Sequence, residues 1–232
     1  MKYQRIQEAA YHANRQLPKL NLVLFTFGNV SVVDRELDVF AIKPSGVPYE
    51  DLSPDKMVIV DLDGKTVAGT LRPSSDTQTH AVLYKHWPQI GSIVHTHSTY
   101  ATAWAQTQRD IPIYGTTHAD HITVDIPCAA PMSDVMIKGN YEYETGLQII
   151  NCLKERGLNY EEVEMILIGN HAPFTWAKTP GKAVYNSAVL ESIAQMAYIT
   201  EQIRKDTPRL QESLIQKHFE RKHGPDSYYG QS

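Results

Sequence analysis

The chain has 232 residues, 42% of them hydrophobic, and a net charge of −4 at neutral pH. These values are typical of a soluble globular protein and exclude the large positive charge of most nucleic-acid or anionic-membrane binders. No stretch has the apolar length of a membrane-spanning helix, and the N-terminal residues lack the apolar core of a signal peptide. The two separated cysteines indicate a reducing compartment, so we expect a cytoplasmic protein without disulfide bonds.

The first half of the chain is predicted to contain helices at its two ends and short strands between them. Pro18 is expected to end the first helix, and Asp63-Gly64 is a strong hairpin turn between two strands. The predicted elements are a helix over residues 3–17, strands at 21–27, 39–42, 57–62 and 66–68, and a helix that follows Asp76 and runs through His86.

The second half is predicted to begin with a buried strand that ends at His95-Thr96-His97. After it we expect helices at 99–106 and 142–156, an irregular segment with short strands at 107–140, strands at 165–169 and 174–177, and helices at 179–204 and 208–223. Strands and helices alternate without a repeat or a linker, which predicts one α/β domain over residues 1–232. Its expected architecture has three layers, α/β/α, around a largely antiparallel sheet.

Histidines are the first candidates for a metal site. Side chains alternate along a strand, so His95 and His97 point to the same face. By itself this spacing is more often explained by strand-end histidines bonded to water or carbonyl groups. His171 follows another strand end, and Asp76 enters a helix, where an aspartate usually serves only as an N-cap. Three imidazoles and one carboxylate would suit Zn²⁺, and also Mn²⁺ or Co²⁺.

Three turns rich in small residues are candidates for binding an anion. They are Gly28-Asn29, Ser45-Gly46 and Ser74-Ser75, with Lys43 nearby. Backbone N–H groups and hydroxyls in such turns can hold a phosphate, although ordinary turns have the same composition. Neither a P-loop nor a G-x-G-x-x-G fingerprint is present, so a nucleotide site has no support.

Two segments contain candidate acid–base groups. The loop 115–121 includes two histidines and Asp120, and the C-terminal tail has tyrosines next to a basic helix end. A nearby cation can lower the pKa of a tyrosine enough for it to donate and accept protons. A polar tail of this kind is otherwise usually disordered.

Eight motifs occur in order along nearly the whole chain. They are GNVS at 28–31, KPSGV at 43–47, PSSDT at 73–77, HTHS at 95–98, GTTHAD at 115–120, GNYEYETG at 139–146, HAPFTWAK at 171–178 and KHFERKHGPDSYYGQ at 217–231. Together they resemble the class II aldolase and adducin family, and within it the epimerases of pentulose phosphates. Two departures are Ala172, where relatives often have glycine, and His121, where tyrosine is common.

The resemblance implies a full set of site residues. The implied zinc ligands are Asp76, His95, His97 and His171. The implied substrate contacts are Gly28, Asn29, Lys43, Ser45, Gly46, Ser74, Ser75 and Arg221. Asp120 and Tyr229 match the acid–base pair of the family. The family pattern is a fourfold homotetramer with sites between subunits, so residues 208–232 are expected to contribute to a neighbouring site.

The resemblance also implies an activity, the metal-dependent interconversion of L-ribulose 5-phosphate and D-xylulose 5-phosphate by retro-aldol cleavage and re-addition. A class II aldolase that releases its fragments is the first alternative, although the fuculose-phosphate type has glutamate where this chain has Asp76. A non-catalytic adducin-like module is the second, although such a module would be expected to lose the three histidines. Whether arabinose or ascorbate breakdown supplies the pentulose stays open.

Overall fold

The computed structural model describes residues 2–224 and residue 227. Its strands are β1 Asn29–Asp34, β2 Val39–Ile42, β3 Val58–Asp61, β4 Thr66–Ala68, β5 Ser92–His95, β6 Cys128–Ala129, β7 Met165–Ile168 and β8 Pro173–Ala177. They form one sheet in the order β4-β3-β2-β1-β5-β8-β7-β6. Among these described strands only β6 and β7 pair in parallel, so the predicted, largely antiparallel sheet is confirmed.

Helices cover both faces of this sheet. They are α1 Gln4–Asn14, α2 Gln16–Lys19, α3 Thr77–His86, α4 Thr99–Thr107, α5 Thr116–Ala119, α6 Asp134–Lys138, α7 Tyr141–Glu155, α8 Pro180–Ile203 and α9 Glu212–His223. Val39 and Ala41 of β2 belong to the apolar core under α1, whereas Phe40 and Ile42 belong to the core under α3 and α7. This alternation within one strand gives the predicted three layers.

The strand predicted at residues 21–27 is wrong. This segment forms turns, and Asn21 and Phe25 adopt left-handed backbone angles, with φ of 55° and 52°. The side chain of Phe25 is 84% exposed and that of Leu24 69% exposed, so the apolar run is not buried in the sheet. The strand begins at Asn29 instead, where the backbone pairs with β5, and then with β2 on its other side. Its β-branched valines, among them Val30, favour this extended conformation.

Other predicted boundaries also shift. The first helix is interrupted at Arg15, and the last helix begins at Glu212 instead of residue 208. Leu210 donates its backbone N–H to Ile113, so the residues before α9 run along another segment rather than coiling. The segment 107–140, predicted to be irregular with short strands, contains the short strand β6 as predicted and, in addition, the helices α5 and α6.

Cys128 and Cys152 are both free and buried. None of the described helices is long and apolar enough to cross a bilayer. The single-domain organisation over residues 1–232 stays a prediction.

Candidate metal centre and active site

Three histidines from two adjoining parts of the sheet lie together. His95 is the last residue of β5, His97 follows it, and His171 occupies the turn between β7 and β8. His95 is opposite Phe174 in the pairing of β5 with β8, which brings the two segments together. One ring nitrogen from each histidine lies within 4.8 Å of the other two. This spacing is suitable for a single metal ion held between three imidazoles.

The protonation of these rings also suits a metal. His95 Nδ1 lies 3.0 Å from the carbonyl oxygen of Pro173, so Nδ1 bears the proton and Nε2 keeps its lone pair. His171 Nδ1 is buried and has no hydrogen-bond partner among the described residues. Burial, followed by the proximity of His95, lowers the pKa of His97 to about 4 and that of His171 to about 3. Both rings are therefore neutral at physiological pH, the form that binds metals.

Asp76 lies next to the histidines, at the N-terminus of α3, but its side chain makes no capping hydrogen bond. Instead Oδ2 accepts hydrogen bonds from Asn29 Nδ2 at 2.6 Å and from Ser74 Oγ at 3.2 Å. Burial raises the pKa of Asp76, but the nearby imidazoles, first His95 and then His80, bring it below the usual value. Asp76 is thus a partly buried carboxylate whose lowered pKa keeps it ionised. The three ring nitrogens lie within 4.8 Å of one another, and a carboxylate beside three imidazoles is a donor set that suits a divalent metal.

These four groups share a cavity of about 560 Å³ with the predicted anion-binding turns. The lining includes Gly28, Asn29, Lys43, Ser45, Gly46, Ser74, Ser75, Asp76, His95, His97 and His171. It also includes Tyr141 and Glu142 at the start of α7, which local sequence does not identify as site residues. The motif GNYEYETG contained both residues, but neither has a spacing that by itself indicates a site.

Lys43 places a cation within this cavity. Its side chain is 2% exposed, Nζ donates to the carbonyl oxygen of Thr26 at 3.1 Å, and the amine lies 4.9 Å from the ring centre of Tyr49. Burial lowers the pKa of Lys43 to about 8. Lys43 takes part in none of the ion pairs found among the described residues. A buried cation without a carboxylate partner is suited to binding an anionic ligand.

Asp120 belongs to a second cluster, outside the lining of this cavity. It accepts hydrogen bonds from Arg221 Nη2 at 2.7 Å and Nε at 3.0 Å, and from His218 Nδ1 at 2.9 Å, while Lys222 Nζ lies 3.5 Å away. Burial raises the pKa of Asp120, but the hydrogen bonds from Arg221 and His218 outweigh it and lower the pKa to about 2. Within one chain, then, α9 binds the Asp120 carboxylate firmly and keeps it ionised.

The structure therefore separates the predicted site residues into two groups. The metal and phosphate candidates meet in one cavity, whereas Asp120 and Arg221 contact each other elsewhere. Tyr229 lies outside the described residues. His218 was not singled out from the sequence, because its pairing with Asp120 joins residues 98 positions apart.

Gly28 illustrates how closely the backbone approaches the histidines. Its φ is 75°, and a Cβ there would lie 2.9 Å from the carbonyl oxygen of His95 and 2.8 Å from Val23 Cγ1. Gly46 has a similar φ of 70°, but no described atom would lie within 4 Å of its Cβ.

We expect Gly46→Ala to lower the free energy of unfolding by about 1 kcal/mol, and Gly28→Ala by about 3 kcal/mol. Denaturant titration measures both, and equal losses would contradict a crowded backbone at His95.

The family of the chain follows from comparison with known proteins. Residues 8–198 match the model of the class II aldolase and adducin N-terminal domain. The chain belongs to the class II aldolase and adducin family, so the resemblance predicted from the eight motifs is confirmed. Two similar proteins, of Salmonella paratyphi A and Salmonella typhi, bear the name L-ribulose-5-phosphate 4-epimerase UlaF. Each is 48% identical over 228 residues, which cover 98% of this chain and 99% of the relative.

Solved structures share the fold at much lower identity. An L-fuculose 1-phosphate aldolase superposes with a TM-score of 0.77 at 22% identity, covering 94% of this chain and 95% of that one. YgbL from Klebsiella pneumoniae, titled a putative aldolase/epimerase/decarboxylase, superposes with a TM-score of 0.74 at 21% identity, covering 94% and 99%. At these identities the likeness concerns the fold alone.

Proposed function

We propose that this chain is a zinc-dependent epimerase that interconverts L-ribulose 5-phosphate and D-xylulose 5-phosphate. One observation supports this most strongly: a single cavity brings together a histidine cluster that could hold a metal and the three turns predicted to bind an anion. The relatives named L-ribulose-5-phosphate 4-epimerase, at 48% identity over nearly the whole chain, support the choice of substrate.

The chemistry of the substrate requires cleavage of a carbon–carbon bond. The hydrogen on C4 of a 2-ketose is not acidic, so C4 cannot be inverted by simple deprotonation. Breaking the C3–C4 bond instead yields an enediolate and glycolaldehyde phosphate, and re-addition to the other face of the aldehyde inverts C4. A bound metal would act as a Lewis acid that stabilises the negative charge developing on the ketose oxygens.

The residues of the cavity have distinct parts in this scheme. His95, His97, His171 and Asp76 would hold the metal. The turns at Gly28-Asn29, Ser45-Gly46 and Ser74-Ser75 would bind the phosphate, with Lys43 as its counter-charge. Holding the phosphate keeps the aldehyde fragment in place while its carbonyl group rotates.

Proton transfer needs one group on each side of C4. We assign these roles to Asp120 and Tyr229, and we place the site between subunits of a homotetramer. The separation of Asp120 and Arg221 from the cavity of their own chain supports this assignment, since a neighbouring chain can present them to it. In that setting His218, already hydrogen-bonded to Asp120, is a further group available to orient the carboxylate.

The activity is tested by incubating purified protein with L-ribulose 5-phosphate before and after metal removal by a chelator. We expect D-xylulose 5-phosphate only with metal present and restored activity on adding Zn²⁺. No product, or product formed after complete metal removal, would contradict the proposal. Accumulation of free glycolaldehyde phosphate as the main product would instead favour an aldolase.

Lys43 provides a pH-dependent test of phosphate binding. Its pKa of about 8 means that the amine is charged below this pH and neutral above it, so kcat/KM should fall as the pH rises through 8. Lys43→Met should raise KM at least about tenfold at pH 7, leave kcat nearly unchanged and abolish this fall, since one charge-assisted pair is lost. Steady-state kinetics from pH 6 to 9 measures both effects. An unaltered KM would exclude Lys43 as the phosphate counter-charge.

A further inference from the structure

The helix α4 contacts both segments that carry the candidate metal histidines. It begins two residues after His97. Near its other end, the carbonyl oxygen of Ala105 accepts the backbone N–H of Asn170 at 2.9 Å, and Asn170 directly precedes His171. Gln108, the first residue after α4, donates its side-chain amide to Asn170 Oδ1 at 3.1 Å. The position of α4 therefore bears on both His97 and His171.

His97 depends on α4 more than the other two histidines do. His95 belongs to β5 and is paired with both β1 and β8, and His171 lies in the turn that joins β7 to β8. His97 lies two residues beyond the last paired residue of β5. The chain that follows it is Ser98 and the start of α4, so this helix must be fixed for His97 to keep its place beside the other two rings.

The start of α4 is not capped by its own N-cap residue. Ser98 occupies that position, but its side chain makes no capping hydrogen bond, and its buried Oγ has no hydrogen-bond partner among the described residues. Glu191 of α8 binds the first turn instead. Its Oε1 accepts the N–H of Tyr100 and its Oε2 that of Ala101, each at 2.9 Å. A carboxylate here satisfies two N–H groups that the helix itself leaves unpaired, and the helix dipole favours its negative charge.

A second contact joins the same two helices. The indole N–H of the buried Trp104 donates to the carbonyl oxygen of Ala194 at 2.9 Å. Ala194 follows Glu191 by three residues, so both contacts lie on one face of α8. Glu191 is partly buried, lies outside the cavity lining and takes part in none of the ion pairs found among the described residues. Its carboxylate thus interacts with the backbone of α4 rather than with a charged side chain.

We propose that Glu191 is a positioning residue of the metal site, which binds the start of α4 through both carboxylate oxygens and so keeps His97 in place beside His95 and His171. This inference rests on the proposed function only in taking the three histidines as metal ligands. Glu191 contacts neither metal nor substrate, since it acts through the backbone of α4. Three imidazoles bind one ion together only while their nitrogens stay within its reach, so a displaced His97 should weaken binding and change the coordination of the ion.

The first experiment measures the affinity of the purified full chain for Zn²⁺ in competition with a chelating indicator. Glu191→Leu removes both acceptor oxygens, whereas Glu191→Gln keeps one of them and the length of the side chain. Asp34→Leu is the matched control. Asp34 is also a partly buried carboxylate that accepts two backbone N–H groups, those of Glu36 and Leu37, but it lies outside the cavity, at the opposite end of β1 from Asn29. Thermal unfolding of each variant reports its loss of stability.

We expect Glu191→Leu to weaken zinc binding about tenfold, the lower end of the loss that follows removal of groups supporting a metal ligand. Glu191→Gln should lie between it and the wild type because one hydrogen bond remains, and Asp34→Leu should lose thermal stability without losing affinity. Equal zinc affinity in wild type and Glu191→Leu would overturn the inference, as would an affinity that follows thermal stability across all three variants. If Glu191→Leu does not fold, equal affinity in wild type and Glu191→Gln would overturn it.

The second experiment uses Co²⁺, whose visible absorption depends on the number and geometry of its ligands. At saturating Co²⁺, the spectrum of Glu191→Leu should differ from that of the wild type because His97 is displaced, whereas Asp34→Leu should give the wild-type spectrum. Identical spectra in all three proteins would overturn the inference. A chain that binds zinc but has no epimerase activity would refute the proposed function alone, because neither measurement depends on turnover.

Discussion

Replacing His97 by asparagine should lower kcat for epimerisation about a thousandfold, equivalent to about 4 kcal/mol of transition-state stabilisation. His97 has the most solvent-accessible side chain of the three histidines, although neighbouring groups still desolvate its ring, whereas His95 is buried against Phe174. The substitution therefore removes one candidate ligand with little effect on the core. We expect the zinc content per subunit to fall together with kcat, and both are measured on the same sample by elemental analysis and steady-state kinetics.

A matched control is available in the same chain. His12 is exposed on α1, outside the cavity lining, and His12→Asn should leave both zinc content and kcat unchanged. His97→Asn protein that unfolds at the wild-type temperature but retains full zinc content and full activity would show that the cluster is not the metal centre. Loss of activity with full zinc content would instead place His97 in substrate binding.

Mixing two inactive variants should restore activity if Asp120 of one chain serves the metal cavity of a neighbouring chain. Asp120→Asn should be inactive because a proton-transfer group is lost, and His97→Asn because the metal is lost. In hybrid oligomers, some sites combine an intact cavity from one chain with an intact Asp120 from its neighbour. With random mixing of equal amounts, about a quarter of the sites would be complete.

This experiment distinguishes the two arrangements of Asp120, because each variant chain has a defect in either the cavity or Asp120. If Asp120 served the cavity of its own chain, every site in the hybrid would contain one defect and the mixture would stay inactive. Each variant incubated alone through the same unfolding and refolding procedure is the control. Size-exclusion chromatography with light scattering gives the oligomeric state, for which we expect a tetramer.

The Asp120→Asn variant also tests the ion pairs around this residue. The pKa of Asp120 in the folded chain, about 2, is below the usual value of 3.8. Its contribution to stability is therefore fully present above about pH 4 and is lost as the pH falls towards 2, with a size of about 2 kcal/mol. The difference in unfolding free energy between wild type and Asp120→Asn should disappear over this interval. A constant difference would show that the hydrogen bonds of Asp120 do not depend on its charge.

The sequence by itself determined most of the regular elements and the fold class. Clear end signals located α7 and α8, because they act through local backbone geometry. Gly157 follows α7 with a left-handed φ of 64°, and Thr179 accepts a hydrogen bond from the Lys182 N–H while Pro180 begins α8. Residues 21–27 were predicted incorrectly because their apolar pattern suits a strand, whereas the positive φ of Phe25 and its exposure depend on the surrounding chain. Local pattern cannot indicate which neighbour a strand will have.

The candidate site was likewise predictable only in part from the sequence. Spacing alone placed His95 and His97 on one face of a strand, and the ordered motifs named Asp76 and His171 as their companions. Only the tertiary structure brought these groups into one cavity, since the pairing of β5 with β8 joins segments distant in sequence. It also decided that Asp120 is bound by Arg221 of α9. Contacts between distant residues depend on how helices and strands pack, which the local pattern of the chain does not specify.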